Sequence, residues 1–281
     1  MSRRLTVVLT ALAMLAFAGN SLLCRVALKD AAIDAASFTT IRLLSGALTL
    51  WLIVQLRGGV RKPAGSWASA LALFAYAAAF SFAYISLPAA TGALLLFGAV
   101  QATMIGYGLS RGERLSVRQW TGFALALAGL VGLLLPGLSA PPLLGALLML
   151  AAGIAWGVYS LRGRGGGDPT AVTAGNFARS VPLALTLSAL TFRSAAWDGS
   201  GVGYAVASGA LASGVGYAIW YMALPGLRPA SAATVQLSVP LIAALGAVMF
   251  LDEALSLRLL FASAAILGGI ALVILSRRAA A

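Results

Sequence analysis

Histidine is absent from this 281-residue chain, and Cys24 is its single cysteine. A lone cysteine excludes an intramolecular disulfide, and the lack of histidine excludes a zinc site of the cysteine–histidine type. Histidine is also the commonest general base in enzymes, so its absence counts against a serine–histidine hydrolase. We therefore expect no metal site, no cofactor and no enzymatic activity.

Acidic residues are also scarce, since only seven occur and charged residues make up 9% of the chain. All seven lie in or beside the polar segments that separate long apolar runs. A carboxylate deep in a membrane span, which could carry a proton or a sodium ion, is therefore not evident. The same absence counts against an intramembrane aspartyl protease. The seven acids are Asp30, Asp34, Glu113, Asp168, Asp198, Asp252 and Glu253.

Apolar residues are abundant instead, at 61% of the chain with a mean hydropathy of +0.97. A soluble domain of this size cannot bury so much apolar surface. The apolar runs are each close to the ~20 residues that a membrane helix needs, and they are too long for barrel strands. We predict an all-α integral membrane protein with ten transmembrane helices. The predicted spans are 5–26, 35–56, 66–87, 89–110, 116–135, 140–162, 169–190, 202–223, 229–251 and 257–276.

The nineteen basic residues indicate how these spans are oriented. If the N-terminus is cytoplasmic, thirteen fall in cytoplasmic segments and four in outer loops, while Arg42 and Arg179 fall within spans. Basic residues concentrate on the cytoplasmic side of membrane proteins, so we expect both termini in the cytoplasm. The net charge of +12 reflects this topology, because the basic residues occur singly or in pairs between apolar runs. No nucleic-acid partner is expected.

A short sequence motif, Glu-x-Leu-Ser, occurs twice in the chain. Glu113-Arg-Leu-Ser116 and Glu253-Ala-Leu-Ser256 lie 140 residues apart, and each separates two apolar runs. In both copies the serine stands where a helix N-cap is expected, and Gln119 adds a capping-box spacing that the second copy lacks. The pattern aromatic-x-x-x-Tyr-x-x-x-Pro likewise occurs at 80–88 and at 217–225. The repetition predicts a duplicated unit.

Each unit contains five predicted spans, an odd number, so the second unit enters the membrane from the opposite side. We predict two inverted five-helix repeats, at 1–137 and 138–281. This plan is common among secondary transporters, whose substrate site lies between the repeats. The first apolar run has a counterpart in the second half, so we expect a retained helix rather than a cleaved signal peptide.

In their order and duplication, these motifs resemble the drug/metabolite transporter superfamily, EamA type. The resemblance rests on Ala18-Gly19-Asn20, Arg42, Arg179 and the two duplicated motifs, and it covers nearly the whole chain. It implies a ten-helix transporter of the bacterial inner membrane that exports amino acids or other small metabolites, and the chain is also similar to aromatic amino-acid exporters. The implied partners are a small-molecule substrate and membrane lipid, and we expect a monomer or a weak homodimer. The family repeat carries a proline midway along spans 4 and 9, but Val100 takes that place in span 4. Of these two spans, only span 9 is therefore expected to be kinked, at Pro240.

Polar and aromatic side chains within the spans are the candidate substrate-binding residues. Amides can hydrogen-bond an amino or a carboxylate group, and several aromatic residues share one helix face. Aromatic residues near the span ends have a membrane-interface belt as their alternative role. Pro182 and Pro240 interrupt the backbone hydrogen bonds of spans 7 and 9 and are candidate hinges. The candidate binding residues are Asn20, Tyr76, Phe80, Gln101, Trp156, Tyr159, Arg179, Tyr217, Trp220 and Gln236.

The two arginines within spans have different expected roles. Arg179 lies about 16 Å into span 7, where it either binds a substrate carboxylate or ties neighbouring helix carbonyls or Asn176. Arg42 lies about 10 Å from the outer face and can snorkel to it, so we expect a structural role.

The leading functional hypothesis is an exporter of small amphipathic solutes, above all amino acids, which bind among spans 1, 3, 4, 6, 8 and 9. The absence of a deep carboxylate argues either for facilitated transport down a gradient or for coupling through groups that the sequence does not identify. A carrier of drugs, nucleosides or sugar nucleotides is one alternative, and a scaffold or receptor without transport is another. A solvated cavity between the repeats would separate transport from the scaffold.

Overall fold

Ten long helices make up the protein in the computed structural model, which describes residues 2–58, 64–137, 140–163, 167–227 and 229–276. No β-strand occurs within these ranges, and the predicted all-α membrane fold is confirmed. The helix ends lie within a few residues of the predicted spans. The helices are α1 (Arg3–Asp30), α2 (Ala35–Leu56), α3 (Trp67–Tyr84), α4 (Ala89–Ser110), α5 (Val117–Leu134), α6 (Leu143–Arg162), α7 (Pro169–Leu190), α8 (Gly199–Gly226), α9 (two segments, Pro229–Gln236 and Ser238–Leu251) and α10 (Leu257–Ser276).

Helix α7 is the most polar of the ten. Among the residues described, the other nine helices are long and apolar enough to cross a membrane. Helix α7 has 22 residues, but Thr170, Thr173, Asn176, Arg179 and Ser180 make it less apolar. All of these except Arg179 are buried, and α7 packs along α2 and α3. Its polar face is therefore turned toward protein rather than lipid, as the cost of polar groups in a bilayer requires.

The basic residues distinguish the two ends of the bundle. We call the end that carries the start of α1 and the α4–α5 and α6–α7 connections the inner end, because the charge bias predicts that it faces the cytoplasm. The opposite end, with the α1–α2, α3–α4 and α9–α10 connections, is the outer end. Six of the thirteen residues on which this orientation depends lie outside the described ranges, and the orientation stays a prediction. The six are Arg61, Lys62, Arg164, Arg228, Arg277 and Arg278.

The serine of the repeated Glu-x-Leu-Ser motif caps the start of α5 and of α10. The Gln119 backbone N–H donates to Ser116 Oγ (3.4 Å) and the Ser116 N–H donates to Gln119 Oε1 (2.8 Å), so the predicted capping box is confirmed. The Leu259 N–H donates to Ser256 Oγ (3.1 Å) without a reciprocal bond, as predicted for the second copy. Residues within one turn therefore fix where both helices start.

The helix pairing has the pattern of an inverted duplication. Helix α2 packs against α7 and α5 packs against α10, each with its own counterpart in the other half. Helix α1 packs against α8 and α9, and its counterpart α6 packs in the same way against α3 and α4. Each half therefore completes its packing with helices of the other half. The predicted boundary between residues 137 and 138 falls at the edge of the described ranges and stays a prediction.

Small residues let α6 approach α4 closely. In the Gly153-x-x-x-Gly157 motif, a side chain at Gly153 would collide with the Leu96 carbonyl oxygen (2.6 Å), and one at Gly157 would collide with Thr103 (2.8 Å). Both contacts are on α4. The motif is thus a packing site between two helices of different halves.

Helix α9 is interrupted at Leu237, where its two segments meet. Pro240 explains the position, because its ring clashes with the carbonyl of Gln236 four residues earlier and it has no N–H to donate to that carbonyl. Helix α4 has Val100 at the matching place and runs without a break. The predicted one-sided interruption is confirmed.

Helix α8 contains a π-helical stretch, Ala207–Val215, between two α-helical segments, Gly199–Val206 and Gly216–Ala223. Such stretches widen a helix and occur often at functional sites. At Gly209 the stretch comes so close to α2 that a side chain there would collide with the Arg42 carbonyl oxygen. Helix α3, the counterpart of α8, is regular, and α7 continues through Pro182.

Candidate functional site

A cavity of about 710 Å³ lies between the two halves. Small-molecule sites are typically about 300–1,000 Å³, so the size suits a metabolite. Of the described residues, those of eight helices line it, and none from α2 or α5 does. The predicted contributions of α1, α3, α4, α6, α8 and α9 are all present, and α7 and the end of α10 add to them.

Aromatic side chains from both halves form one wall of the cavity. Trp156 of α6 stacks on Tyr217 of α8, with ring centroids 5.4 Å apart and ring planes 19° apart. The ring centroid of Tyr159 lies 5.2 Å from that of Trp156, and the centroid of Tyr76 lies 4.8 Å from it. Each such contact contributes about 1 kcal/mol beyond burial. The wall therefore helps to hold α3, α6 and α8 together and offers ring faces to a solute.

Polar groups at the cavity are of two kinds. Asn20 Nδ2 donates to the Tyr76 hydroxyl (3.4 Å), and Ser208 Oγ donates to Asn20 Oδ1 (2.6 Å), so these groups are engaged. The side-chain amides of Gln101 and Gln236 form no hydrogen bond with another described residue. These two amides are available to a solute.

The cavity opens at the inner end. Arg111 and Glu113 of the α4–α5 connection line it there, together with Gly163 and Gly167 beside the α6–α7 connection, and all four are exposed. Glu113 is the one acid and Arg111 the one basic residue among the described lining residues. The deep part of the wall is therefore uncharged.

An ion pair between the two halves closes the outer end. Arg25 Nε donates to Glu253 Oε1 (2.9 Å), and Arg25 Nη1 donates to the carbonyl oxygens of Tyr84 (3.0 Å) and Ile85 (3.2 Å). Glu253 Oε2 accepts a hydrogen bond from the Ala89 N–H (2.7 Å). We call Arg25 and Glu253 the outer gate.

The outer gate also completes the start of α4. This helix begins after Pro88, whose side chain offers no cap. Glu253 supplies an acceptor where free N–H groups and the helix dipole favour a negative charge. The side chains of Arg25 and Glu253 are 12% and 9% exposed, so water screens the pair weakly. Loss of one partner would leave the other charge largely buried and unpaired.

Arg42 of α2 is buried beside the deep end of the cavity. Its guanidinium carbon lies 5.2 Å from the ring centroid of Tyr76 and 4.9 Å from that of Phe80, two rings that line the cavity. The expectation that Arg42 snorkels to the outer face is wrong, because α2 turns this side chain toward α3 and leaves it 2% exposed. Desolvated cation–π contacts contribute about 2 kcal/mol, whereas burial of an ion costs several kcal/mol.

Comparison with known proteins identifies the architecture. The model of the EamA-like transporter family matches residues 143–275, from α6 into α10. An uncharacterised protein of Pseudomonas aeruginosa is 60% identical over 278 residues, which cover 99% of this chain and 97% of that protein. The chain belongs to the EamA-like transporter family. It is therefore a multi-pass membrane transporter of small solutes, as its motifs predicted.

Two further comparisons cover nearly the whole chain. An uncharacterised transporter of Archaeoglobus fulgidus is 29% identical over 267 residues, which cover 88% of this chain and 90% of that protein. A crystal structure with 23% sequence identity superposes with a TM-score of 0.68 over 97% of this chain and 98% of that one, which shows a shared fold. Both halves of the chain thus belong to the fold that it shares with that structure.

Nine of the ten predicted binding residues of this EamA-like transporter line the cavity. Their contact with a solute stays a prediction, but the structure brings them to one space. They could be predicted from the sequence because amides and aromatic rings within membrane spans tend to face the interior of the bundle and not lipid. The nine are Asn20, Tyr76, Phe80, Gln101, Trp156, Tyr159, Tyr217, Trp220 and Gln236.

Arg179 is the exception, since it lies outside the cavity. Its Nη1 donates to the carbonyl oxygens of Ala64 (2.6 Å) and Gly175 (2.9 Å). The expectation that Arg179 reaches toward the solute is therefore not met, and the alternative of a tie to backbone carbonyls describes its geometry. Asn176, the other predicted partner, instead accepts from the Ser66 N–H (2.8 Å).

The two candidate hinges occupy different surroundings. Pro240 follows the cavity residue Gln236 by one turn and stands at the break in α9. Pro182 lies within the continuous helix α7 and does not line the cavity. Their roles in gating stay predictions.

Several groups at the site were not expected from the sequence. Asn176 Nδ2 donates to the Tyr159 hydroxyl (3.4 Å), and the hydroxyls of Thr173 and Tyr221 share a hydrogen bond of 3.0 Å. The sequence shows that these α7 residues are polar, but it does not show which face of α7 meets the cavity. The repeated Glu-x-Leu-Ser motif drew attention to Glu253. Its partner Arg25 is 228 residues away in the sequence, and no nearby motif identifies it.

Proposed function

We propose that this EamA-like transporter exports amino acids, above all those with aromatic or other apolar side chains, from the bacterial cytoplasm. The observation that carries the proposal is the cavity, which joins a wall of aromatic rings to two available amides. It opens at the inner end, and the outer gate closes the opposite end. This arrangement supports alternation between an inward-open and an outward-open form.

A zwitterion with an apolar side chain fits the chemistry of the wall. Trp156 and Tyr217 present ring faces on which an aromatic or aliphatic side chain can pack. Each amide of Gln101 and Gln236 can donate to a carboxylate and accept from an ammonium group. Binding by a small number of polar contacts is loose, which helps a carrier to release its solute.

Export requires the two ends of the cavity to open in turn. In the inward-open form the solute enters past the α4–α5 and α6–α7 connections and reaches the aromatic wall. Separation of Arg25 from Glu253 then opens the outer end while the inner mouth closes. The break at Leu237 lets the two segments of α9 move separately during this exchange.

Transport runs down the gradient of the solute. Glu113, the one acid among the described lining residues, stands at the exposed mouth. The deep wall has no carboxylate on which a coupled proton or sodium ion could bind. We expect counterflow that needs neither a proton gradient nor a sodium gradient.

The protein lies in the bacterial inner membrane with both termini in the cytoplasm, as a monomer or a weak homodimer. Lipid covers the outside of the bundle, where large apolar side chains such as Leu48, Trp51 and Phe261 are exposed. These residues stand on helices that turn their buried faces inward. The arrangement is that of a membrane span rather than of a soluble surface.

The test is counterflow in proteoliposomes that contain the purified protein. Vesicles loaded with unlabelled phenylalanine should accumulate labelled phenylalanine, tryptophan and leucine faster than labelled nucleosides, sugars or cationic drugs. Trp156→Ala should lower the initial rate about fivefold, because it removes about 1 kcal/mol of ring contact. Trp67→Ala is the matched control, since Trp67 is 61% exposed at the start of α3 and should leave the rate unchanged.

Two results would contradict the proposal. One is a preference for drugs, nucleosides or sugar nucleotides over every amino acid tested. The other is a well-folded Trp156→Ala variant that transports all tested amino acids at the parental rate.

A further inference from the structure

Arg42 is a buried cation with most of its hydrogen-bonding capacity unused. Its one recorded hydrogen bond runs from Nη2 to the Tyr76 hydroxyl (3.0 Å), while Nε and Nη1 have no partner. All seven acids of the chain are among the described residues, and none of them pairs with Arg42. Arg179 shows how a structural arginine of this protein behaves, since it donates to two backbone carbonyls. A buried cation without such partners requires an anion.

Among the described residues, the Tyr76 hydroxyl is the only hydrogen-bond acceptor that Arg42 reaches. The Tyr76 hydroxyl accepts from both Arg42 and Asn20, and no described residue accepts the proton that this hydroxyl carries. Asn20 Oδ1 is engaged by Ser208 Oγ (2.6 Å), which leaves the amide nitrogen of Asn20 directed at Tyr76. The chemical complement of this cluster is a group with several lone pairs and a negative charge, such as a carboxylate.

The cluster stands at the boundary of the cavity. Asn20, Tyr76 and Phe80 line the cavity, and Arg42 is in contact with the last two. One layer of side chains therefore separates Arg42 from the space that a solute occupies. Tyr76 also contacts Trp156, at 4.8 Å between centroids. A solute ring that packs on Trp156 therefore competes with Tyr76 for that face.

We propose that Arg42 binds the carboxylate of the transported solute and that Tyr76 is the side chain that moves aside to admit it. The inference deepens the proposed function, on which it rests, because it requires an acidic group in the substrate. The planar guanidinium exchanges its single bond to Tyr76 for two parallel bonds to one carboxylate. Lysine cannot reproduce this bidentate pairing.

The test compares solutes that differ in their charged groups. Binding and counterflow of phenylalanine, phenylalaninamide and phenylacetate are measured on the purified full-length protein. The wild-type protein should prefer phenylalanine over its amide by about tenfold or more. Arg42→Gln should abolish this preference by weakening the binding of phenylalanine, and Arg42→Lys should restore part of it. Tyr76→Phe should reduce the preference less than Arg42→Gln does, since it removes one neutral donor.

Arg179→Gln is the matched control, because this arginine is bound to carbonyls outside the cavity. It should keep the wild-type preference for phenylalanine over the amide. Thermal unfolding provides a second readout for Arg42→Gln. Removal of an uncompensated buried cation should leave the melting temperature unchanged or raise it, whereas the loss of a structural tie would lower it.

The assignment is overturned if Arg42→Gln binds phenylalanine and its amide in the wild-type ratio, or if it loses both to the same extent. It is also overturned if the wild-type protein carries no carboxylate in the panel. If phenylacetate is carried in an Arg42-dependent manner but no amino acid is, amino-acid export fails while the assignment of Arg42 stands. Should Arg42→Gln not fold, an undiminished preference in Arg42→Lys overturns the bidentate pairing.

Discussion

At the residue scale, carboxylates that bridge the two halves hold the outer end together. Glu253 pairs with Arg25, and Asp34 adds a second link, because its N–H donates to the Ala196 carbonyl (2.9 Å) and its Oδ2 accepts from the Ala196 N–H (3.0 Å). Asp34 Oδ1 also accepts from the Ser37 N–H (3.0 Å) at the start of α2. Each carboxylate thus caps a helix and joins the halves at once, so its removal should loosen both.

Glu253→Gln should make the outer end open more often. The amide keeps the size of the side chain but removes the charge that compensates the partly buried Arg25. Cys24 reports on this end, because it precedes Arg25 and is fully buried. An impermeant maleimide applied to intact cells should label Cys24 several-fold faster in Glu253→Gln than in the parent.

The neighbouring acid supplies the control for this labelling experiment. Asp252→Asn removes a charge from an exposed residue with φ 51°, a conformation that asparagine tolerates. It should leave the labelling rate at the parental value. Equal rates in Glu253→Gln and in the parent would show that the ion pair does not control this end.

Asp34 predicts a pH dependence of stability. Burial raises the pKa of the Asp34 carboxyl, but hydrogen bonds from Ser37, Ala196 and Ala36 together outweigh burial and hold the pKa below its ordinary value. A lowered pKa in the folded state stabilises the protein above the ordinary value of about 3.9, and this stabilisation is lost as the pH falls through the folded-state value. Asp34→Ala should therefore lower the melting temperature at neutral pH, and the difference should shrink below about pH 4. Thermal unfolding in detergent checks this, and a difference that is constant across pH would contradict it.

At the scale of helices, local sequence rules predicted where helices start and break, but not which neighbouring helix a side chain faces. Ser116 and Pro240 act on residues within one turn, so the start of α5 and the break in α9 could be predicted from the sequence. The depth of Arg42 along α2 was also predictable, but the neighbour that it faces is set by the packing of α2 against α3 and α8. The direction of the Arg179 side chain could not be predicted for the same reason, since it also depends on how helices pack. The outer gate could not be predicted, since its two residues are distant in sequence and belong to different halves.

Pro240→Ala should slow transport while leaving binding nearly unchanged. Alanine restores an N–H that can donate to the Gln236 carbonyl, which allows α9 to become one continuous helix. A continuous α9 cannot move its two segments separately, whereas the cavity wall at Gln236 remains in place. Counterflow rates and equilibrium binding of phenylalanine, measured on the same preparation, separate the two effects.

Pro182→Ala offers the comparison for this experiment. Helix α7 is already continuous and Pro182 lies away from the cavity, so this change should slow transport less than Pro240→Ala does. A Pro240→Ala protein with the parental rate would remove the α9 break from the mechanism.

At the scale of the whole molecule, the inverted arrangement sets which loops face which side. The loop at Glu113 should be cytoplasmic and the loop at Glu253 external. Single cysteines at Arg114 and Ala254, both exposed, are introduced into a Cys24→Ala background. An impermeant thiol reagent should label the Ala254 site on intact spheroplasts and the Arg114 site after permeabilisation. Equal labelling of both sites from outside would rule out the inverted topology.

The interruption of α9, opposite an unbroken α4, has a consequence for the direction of flow. With one broken and one continuous helix in matching places, the outward-open form is not the mirror image of the inward-open form, and the two crossings have unequal barriers. For a carrier without a coupled ion, the ratio of maximal rate to half-saturation concentration must nevertheless be equal for influx and efflux, because at equilibrium no net flux remains. The inequality can therefore appear only as a fast crossing with weak half-saturation in one direction and a slow crossing with tight half-saturation in the other. A valine in place of a proline would thus tune how quickly a cell relieves an excess of solute, without changing the concentration at which the flow stops.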